Sequence, residues 1–177
     1  MLENKMTEPT DPFLQGLIEV LGEQAAADFQ NNRLAGSLRL EDRVTQGILI
    51  RAGRAGFTCW LSQNQDQLGW TDKDFRFKAV RSKIRAGLED ILQQLRSTNN
   101  MELTLVNEPE AWLLIVASST DLPVNPPHLP CAYLRGFVQE FCRWAGIGKF
   151  YAVDQQTTLS SSGFPTFEIT IQKAPID

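Results

Sequence analysis

The sequence predicts an α+β fold: three N-terminal helices, then a β-hairpin, a helix and a second β-hairpin, with an antiparallel sheet covered by helices. Three observations predict it. Apolar residues recur with a 3.6-residue period as far as Leu95, the period drops to two from Met101, and Cys131 to Ala145 is amphipathic between two alternating stretches. With 177 residues, 42% of them hydrophobic, the chain is long enough for one core. Residues 12–173 therefore read as a single domain behind a loosely ordered N-terminus at residues 1–11.

Asp11 followed by Pro12 marks a helix start, with the aspartate as cap and the proline at the first helical position, where its missing N–H costs nothing. Leu14, Leu17, Ile18, Leu21, Ala25 and Phe29 carry that helix to about residue 30. A second helix, about 42–62, has Val44, Ile48, Ala52, Ala55 and Cys59 on one stripe, while Gly53 and Gly56 flatten the neighbouring one. Glycine inside a helix costs up to about 1 kcal/mol against alanine, so the pair implies close approach of another backbone. The third helix, about 72–97, directs Phe77, Val80, Ile84, Leu88, Ile91, Leu92 and Leu95 toward the core, and Asn99-Asn100 ends it.

Beyond it, Met101, Leu103 and Leu105 alternate with Glu102 and Thr104, Asn107 to Glu110 turns the chain, and Ala111 to Ala117 returns as an apolar strand. After a proline-rich stretch, Ser118 to Pro130, the residues Leu134, Phe137, Val138, Phe141, Cys142 and Ala145 define one helical face, stopped by Gly146 and Gly148. A strand at about 149–158, a turn at Ser160 to Gly163 and a strand turning Phe167, Ile169 and Ile171 inward complete the pattern.

Seventeen basic against 21 acidic residues leave a net charge of −4, which gives no whole-chain attraction to nucleic acid or to an anionic membrane; any such contact must be local. The N-terminus lacks the pattern of a secretory signal, and the longest apolar run, Ala111 to Ala117, is too short to span a bilayer. Cys59, Cys131 and Cys142 form no Cys-x-x-Cys pair. Cys131 and Cys142 share a helix face but stand about 16 Å apart along the axis, beyond disulfide reach. These features lead us to expect a reducing, cytoplasmic setting.

Motifs for catalysis are missing. There is no phosphate-cradling glycine loop, no nucleophile elbow, and no acid/base pair among the scattered carboxylates, so we expect no cofactor, no metal and no enzyme activity. The lone histidine, His128, is bracketed by Pro127 and Pro130, which keep it out of any helix. Arg76, Lys78, Arg81, Lys83 and Arg85 cluster at the start of the third helix, where they oppose the helix dipole; a solvated face is the plainer reading, an acidic or phosphate-bearing partner the alternative. Trp60, Trp70, Trp112, Tyr133, Phe137, Phe141 and Trp144 either line a ligand cavity or, more simply, fill the core.

Three segments carry a family resemblance: MELTLVNEPEAWLLIV, the helix opening CAYLRGFVQEF, and the closing TTLSSSGFPTFEITI. Cys131, Leu134, Arg135 and Gly136 resemble the start of the corresponding helix in TRAPP core subunits of the Bet family. The closing hairpin and IRAGRAGF at 50–57 resemble the 4-vinyl-reductase domain, within the fold shared by nitric oxide signalling and Golgi transport proteins. The same broad fold hosts haem-binding nitric oxide sensors, whose proximal histidine comes from a helix.

The resemblance implies a homodimer or paralogue dimer and an apolar cavity that takes an acyl chain or a flat ring. The chain departs from both patterns. GWTDKDF at 69–75 offers Thr71 where the TRAPP subunits have an acyl-accepting cysteine, and Leu159 and Phe167 stand where the reductase pattern has cysteines. The expectation is a non-catalytic dimerising binding or adaptor domain, with a hydrophobic small molecule (fatty acyl or tetrapyrrole) and a further protein as partners. The alternative is a tetrapyrrole carrier or 4-vinyl-reductase-type protein. The expected cavity lies between the third helix and the one starting at Cys131, lined by Phe77, Ile84, Phe137 and Phe141; the expected dimer contact is Gly53, Gly56 and Trp60.

Overall fold

The computed structural model describes residues 10–99, 101–117, 129–159 and 165–176. Their architecture is α+β. Helices α1 (Pro12–Leu21), α2 (Glu23–Leu34), α3 (Arg43–Asn64), α4 (Lys73–Arg76) and α5 (Val80–Asn99) precede the hairpin β1 (Glu102–Asn107) and β2 (Ala111–Ala117), after which come α6 (Cys131–Ala145), β3 (Tyr151–Leu159) and β4 (Pro165–Pro175). The sheet is antiparallel in the order β1-β2-β4-β3. Helix α5 packs beside β1 and α6 beside β3, while α3 lies between α6 and α1.

The predicted first helix is two. Asp11 caps α1 by accepting from the Phe13 N–H at 3.0 Å, as its position before Pro12 implied. Gly22 then takes φ +83°, a left-handed value that glycine adopts without strain, and its N–H closes α1 on the Ile18 carbonyl at 2.8 Å. The break resets the helical phase, so Ala26 and Phe29 are buried whereas Ala25 is exposed. The third predicted helix also divides. α4 stops at Arg76 and α5 starts at Val80, which removes Phe77 from the inward stripe and leaves it 84% exposed.

Helix α3 keeps its predicted extent but turns a different face inward. Thr45, Leu49, Ala52, Gly53, Gly56, Phe57 and Trp60 are buried, while Val44 is exposed. The glycines explain the rotation. A Cβ at Gly53 would overlap the Tyr133 carbonyl of α6, and one at Gly56 would meet the Tyr133 hydroxyl and the Pro12 carbonyl oxygen. Gly136 does the same from the other side, facing the Ile50 carbonyl, so α3 and α6 touch backbone to backbone.

The amphipathic face of α6 is buried as its spacing predicts: Leu134, Phe137, Val138, Phe141, Cys142 and Ala145 are all in the core. On the sheet, Leu103, Trp112, Leu114, Val153, Ile169 and Ile171 line the covered face. No described helix is long and apolar enough to cross a membrane.

Candidate functional site

Between the first half of α5 and the C-terminal half of α6 the interior is solid. Trp70 stacks on Phe75 at a centroid distance of 5.2 Å and on Trp144 at 5.3 Å, and Phe141 lies 5.4 Å from Trp70. The Trp70 Nε1–H donates to Asp90 at 2.8 Å, so the buried indole is satisfied. A Cβ on Gly87 would come within 2.7 Å of the Phe141 ring and 3.3 Å of Trp70, which leaves no room for one methyl group. Of the residues expected to line a cavity here, Ile84, Phe137 and Phe141 are in the core and Phe77 is on the surface. Gly53, Gly56 and Trp60 are likewise buried within the chain, their close approach taken up by α1 and α6 rather than offered on a surface.

Space is found instead at the opening of α6. A cavity of about 350 Å³ lies between the first turn of α6, the start of α3 and the sheet. Its apolar wall is Leu40, Leu49, Met101, Val116, Leu129 and Phe167. Its polar lining is Arg33, Glu41, Gln46, Gln155 and Thr157. The volume falls within the range of small-molecule pockets, roughly 300–1,000 Å³. A second cavity of about 310 Å³ lies between α1, the ends of α3 and α5 and the first half of α6, with Phe13, Trp60, Leu95, Tyr133 and Phe137 in its walls, so that of the four residues expected to line a cavity between the third predicted helix and α6, Phe137 does so.

Two local features make the first cavity. Helix α6 begins with the small residues Cys131 and Ala132, which line the space without filling it. Strand β3 turns Tyr151 and Val153 into the core, then places Gln155 opposite Ile169 and Thr157 opposite Phe167 along the same row. Alternation holds while polarity changes. That switch is legible in the sequence as YAVDQQT, a signal that helix and strand periodicity alone does not single out.

The polar groups are unevenly satisfied. Gln155 Oε1 is buried with no hydrogen-bond partner among the described residues, a state that costs about 1–3 kcal/mol. Pro130 caps α6 without a side-chain hydrogen bond, so the first-turn N–H groups beside Cys131 and Ala132 are donors aimed at the cavity end of the helix. Burial lowers the Arg33 pKa while Asp11 opposes the shift; the guanidinium stays charged. It lies 4.9 Å over the Phe13 ring, and its Nε donates to Gln30 at 3.0 Å. Burial pushes the Cys131 thiol up to about 12 despite Arg135, and pushes Cys142 up as well. The three cysteines are unpaired with one another, and the described residues hold no cluster of three metal-ligating side chains.

Comparison with known proteins first defines the fold. No family model matches the sequence, and no curated protein matches it. Solved structures do, H-NOX domains among them. An oxygen-binding H-NOX domain related to soluble guanylate cyclases, in its oxygen complex, covers 94% of each chain at 10% identity and a TM-score of 0.54. The H-NOX domain from Shewanella oneidensis, in its Fe(II)CO state, has 12% identity and a TM-score of 0.52 over 91% of this chain and 97% of its own. A structure concerned with haem distortion in the H-NOX family gives 11% identity and 0.54 over 94% of each. At such identities the likeness is one of fold alone.

These neighbours overturn the resemblance to TRAPP core subunits and 4-vinyl-reductase domains. The residues that carried it serve packing. Arg135 Nε donates to the Val153 carbonyl at 2.8 Å and ties α6 to β3, while Gly136 admits α3.

Haem is the group such a fold brings to mind, and it needs a slot and an axial ligand. The described residues do not fit it. The sequence has one histidine, His128, which lies outside the described residues, so no described helix carries one. Cys142 is enclosed in the packed interior, and the Tyr133 ring is held 4.9 Å from Phe13 and 6.1 Å from Phe137. The space between the first half of α5 and the C-terminal half of α6 is filled by aromatic rings.

Proposed function

We propose that the chain is a non-catalytic ligand-binding domain whose cavity at the start of α6 takes a small apolar molecule with one polar end. The observation that carries the reading is a largely apolar space of about 350 Å³ with Gln155 in its wall, whose buried Oε1 has no partner among the described residues. A ligand donor to that oxygen removes its desolvation cost. The uncapped first turn of α6 favours an acceptor or negative charge beside it. A carboxylic acid, amide or alcohol on an aliphatic or flat body meets both demands, and Leu49, Val116 and Phe167 face the body. Self-association through Gly53, Gly56 and Trp60 is not part of this reading, because those residues are covered within the chain.

Native mass spectrometry of the protein purified from its own host tests the reading directly: a retained small-molecule adduct is expected. Added fatty acids of graded length should raise the melting temperature, and a ligand at a hundredfold excess over its Kd contributes about 2.7 kcal/mol. Gln155→Leu should abolish most of that gain while preserving the fold. A bare mass with no thermal shift from any acid or alcohol overturns the proposal. A Soret band that His128→Ala removes overturns it in favour of a haem protein.

A further inference from the structure

The end of the molecule away from the cavity carries an unusual surface. Helix α6 closes with the hydrogen bonds Gly148 N–H to Arg143 O at 2.8 Å and Ile147 N–H to Trp144 O at 3.3 Å, the pattern that places one residue in the left-handed conformation. Glycine is usual at that position. Here it is Ile147, at φ +59° and 80% exposed, although Gly146 and Gly148 flank it. A β-branched residue gains nothing structurally there.

Around Ile147 lie other projecting apolar side chains. Phe150 is 56% exposed under the Arg143 guanidinium at 5.3 Å, and its carbonyl accepts from Ile176, itself exposed. Trp144, at the edge of the aromatic stack, lies 6.3 Å from Phe75, which brings the exposed Phe77 segment to the same end. Arg81 acts electrostatically on Tyr151 and so borders the same loop. Five of the eight large apolar side chains exposed among the described residues gather here.

Charge gathers with them. Segments 73–85 and 143–150 hold 8 of the chain's 17 basic residues and one of its 21 acids, leaving 9 against 20 elsewhere. Arg85 and Arg143 pair with Glu89 and Glu140, but no carboxylate among the described residues pairs with Arg76, Lys78 or Arg81. The molecule is thus strongly dipolar, and its positive pole is its apolar pole.

We propose that this end docks on an anionic lipid surface, with Phe77, Ile147 and Phe150 entering the headgroup region and Arg76, Lys78, Arg81 and Lys149 meeting lipid phosphates and carboxylates. Apolar side chains 80–84% exposed project singly instead of forming the flatter, partly buried patch of a protein interface. Cations beside them add affinity at an anionic leaflet and lose it with salt.

Sedimentation with vesicles of phosphatidylcholine, with and without phosphatidylserine, tests the proposal on the whole chain. Binding to the mixed vesicles alone, reversed by salt, is expected. Each of Arg76→Gln, Lys78→Gln and Arg81→Gln should weaken it about fivefold. Ile147→Gly is the discriminating variant: it relieves the left-handed isoleucine, so the melting temperature should rise while vesicle binding falls roughly tenfold. Failure to bind mixed vesicles at low salt overturns the proposal, as does unchanged binding by Ile147→Gly. Retention on immobilised polyglutamate without vesicle binding also overturns it, and assigns the face to an acidic protein.

Discussion

The two ends of α6 are built on opposite principles. At its middle and C-terminal end, backbone and rings meet with no space to spare: Gly136 against the Ile50 carbonyl, Phe141 and Trp70 against Gly87. At its N-terminal end, small side chains and a polar half-strand leave a cavity of about 350 Å³. The same helix therefore anchors the fold with one part and opens it with another. A solid core could have been continued by an apolar residue at 155. A glutamine whose buried oxygen has no partner among the described residues stands there, and the packed end supplies the stability that tolerates it.

The packed end is where the contrast can be broken most severely. Gly136→Ala drives a methyl into the α3 backbone, and the expected loss exceeds about 4 kcal/mol, read as a collapse of the urea midpoint or failure to fold. A midpoint within experimental error of the parent would show that α3 and α6 are not in backbone contact. A milder pair sharpens the comparison. Gly87→Ala, facing rings that can shift a little, should cost about 1–3 kcal/mol. Val116→Ile adds the same carbon beside the cavity and should stabilise by about 0.5–1 kcal/mol. Chemical denaturation of both variants decides it, and equal losses would mean the cavity is not open space.

The smallest effect separates the two ends by pH. A thiol whose folded value is raised keeps its proton where the unfolded chain has lost it. For Cys131 that contribution is intact below the ordinary value of 9.0 and is lost as pH rises from there to about 12. Stability should decline over that window, and Cys131→Ser should flatten the decline in part, Cys142 supplying the rest. In the folded protein at mildly alkaline pH, iodoacetamide should modify Cys131, at the cavity wall, before Cys142 in the packed interior. A bound ligand should slow the first reaction.

Much of the fold was readable because its signals are periodic and local. Every strand and the whole of α6 follow from alternation, helical spacing and the flanking glycines. The misreadings arose where a single backbone conformation resets the phase: Gly22 divides the first helix, and the stop after Arg76 throws Phe77 outward. On α3 the glycine pair was recognised as a close-approach surface, but periodicity cannot say whether the approaching backbone belongs to the same chain. The cavity was harder still, since empty space has no residue of its own. Its trace lies in the polar half of β3 and the small residues opening α6, two weak signals in separate segments that only tertiary structure brings together.

The sheet order has a kinetic consequence. The β1–β2 hairpin closes locally, but β2 and β4 must find each other across the whole of α6, with Val116 opposite Phe167. Such long-range pairing is the slow part of assembling a small domain. Val116 and Phe167 are also walls of the cavity. The cavity therefore straddles the seam that closes late, and it does not exist until both hairpins have joined. A molecule held there spans the seam like a clasp and slows its reopening, so occupancy should lengthen the lifetime of the native state as well as deepen its equilibrium.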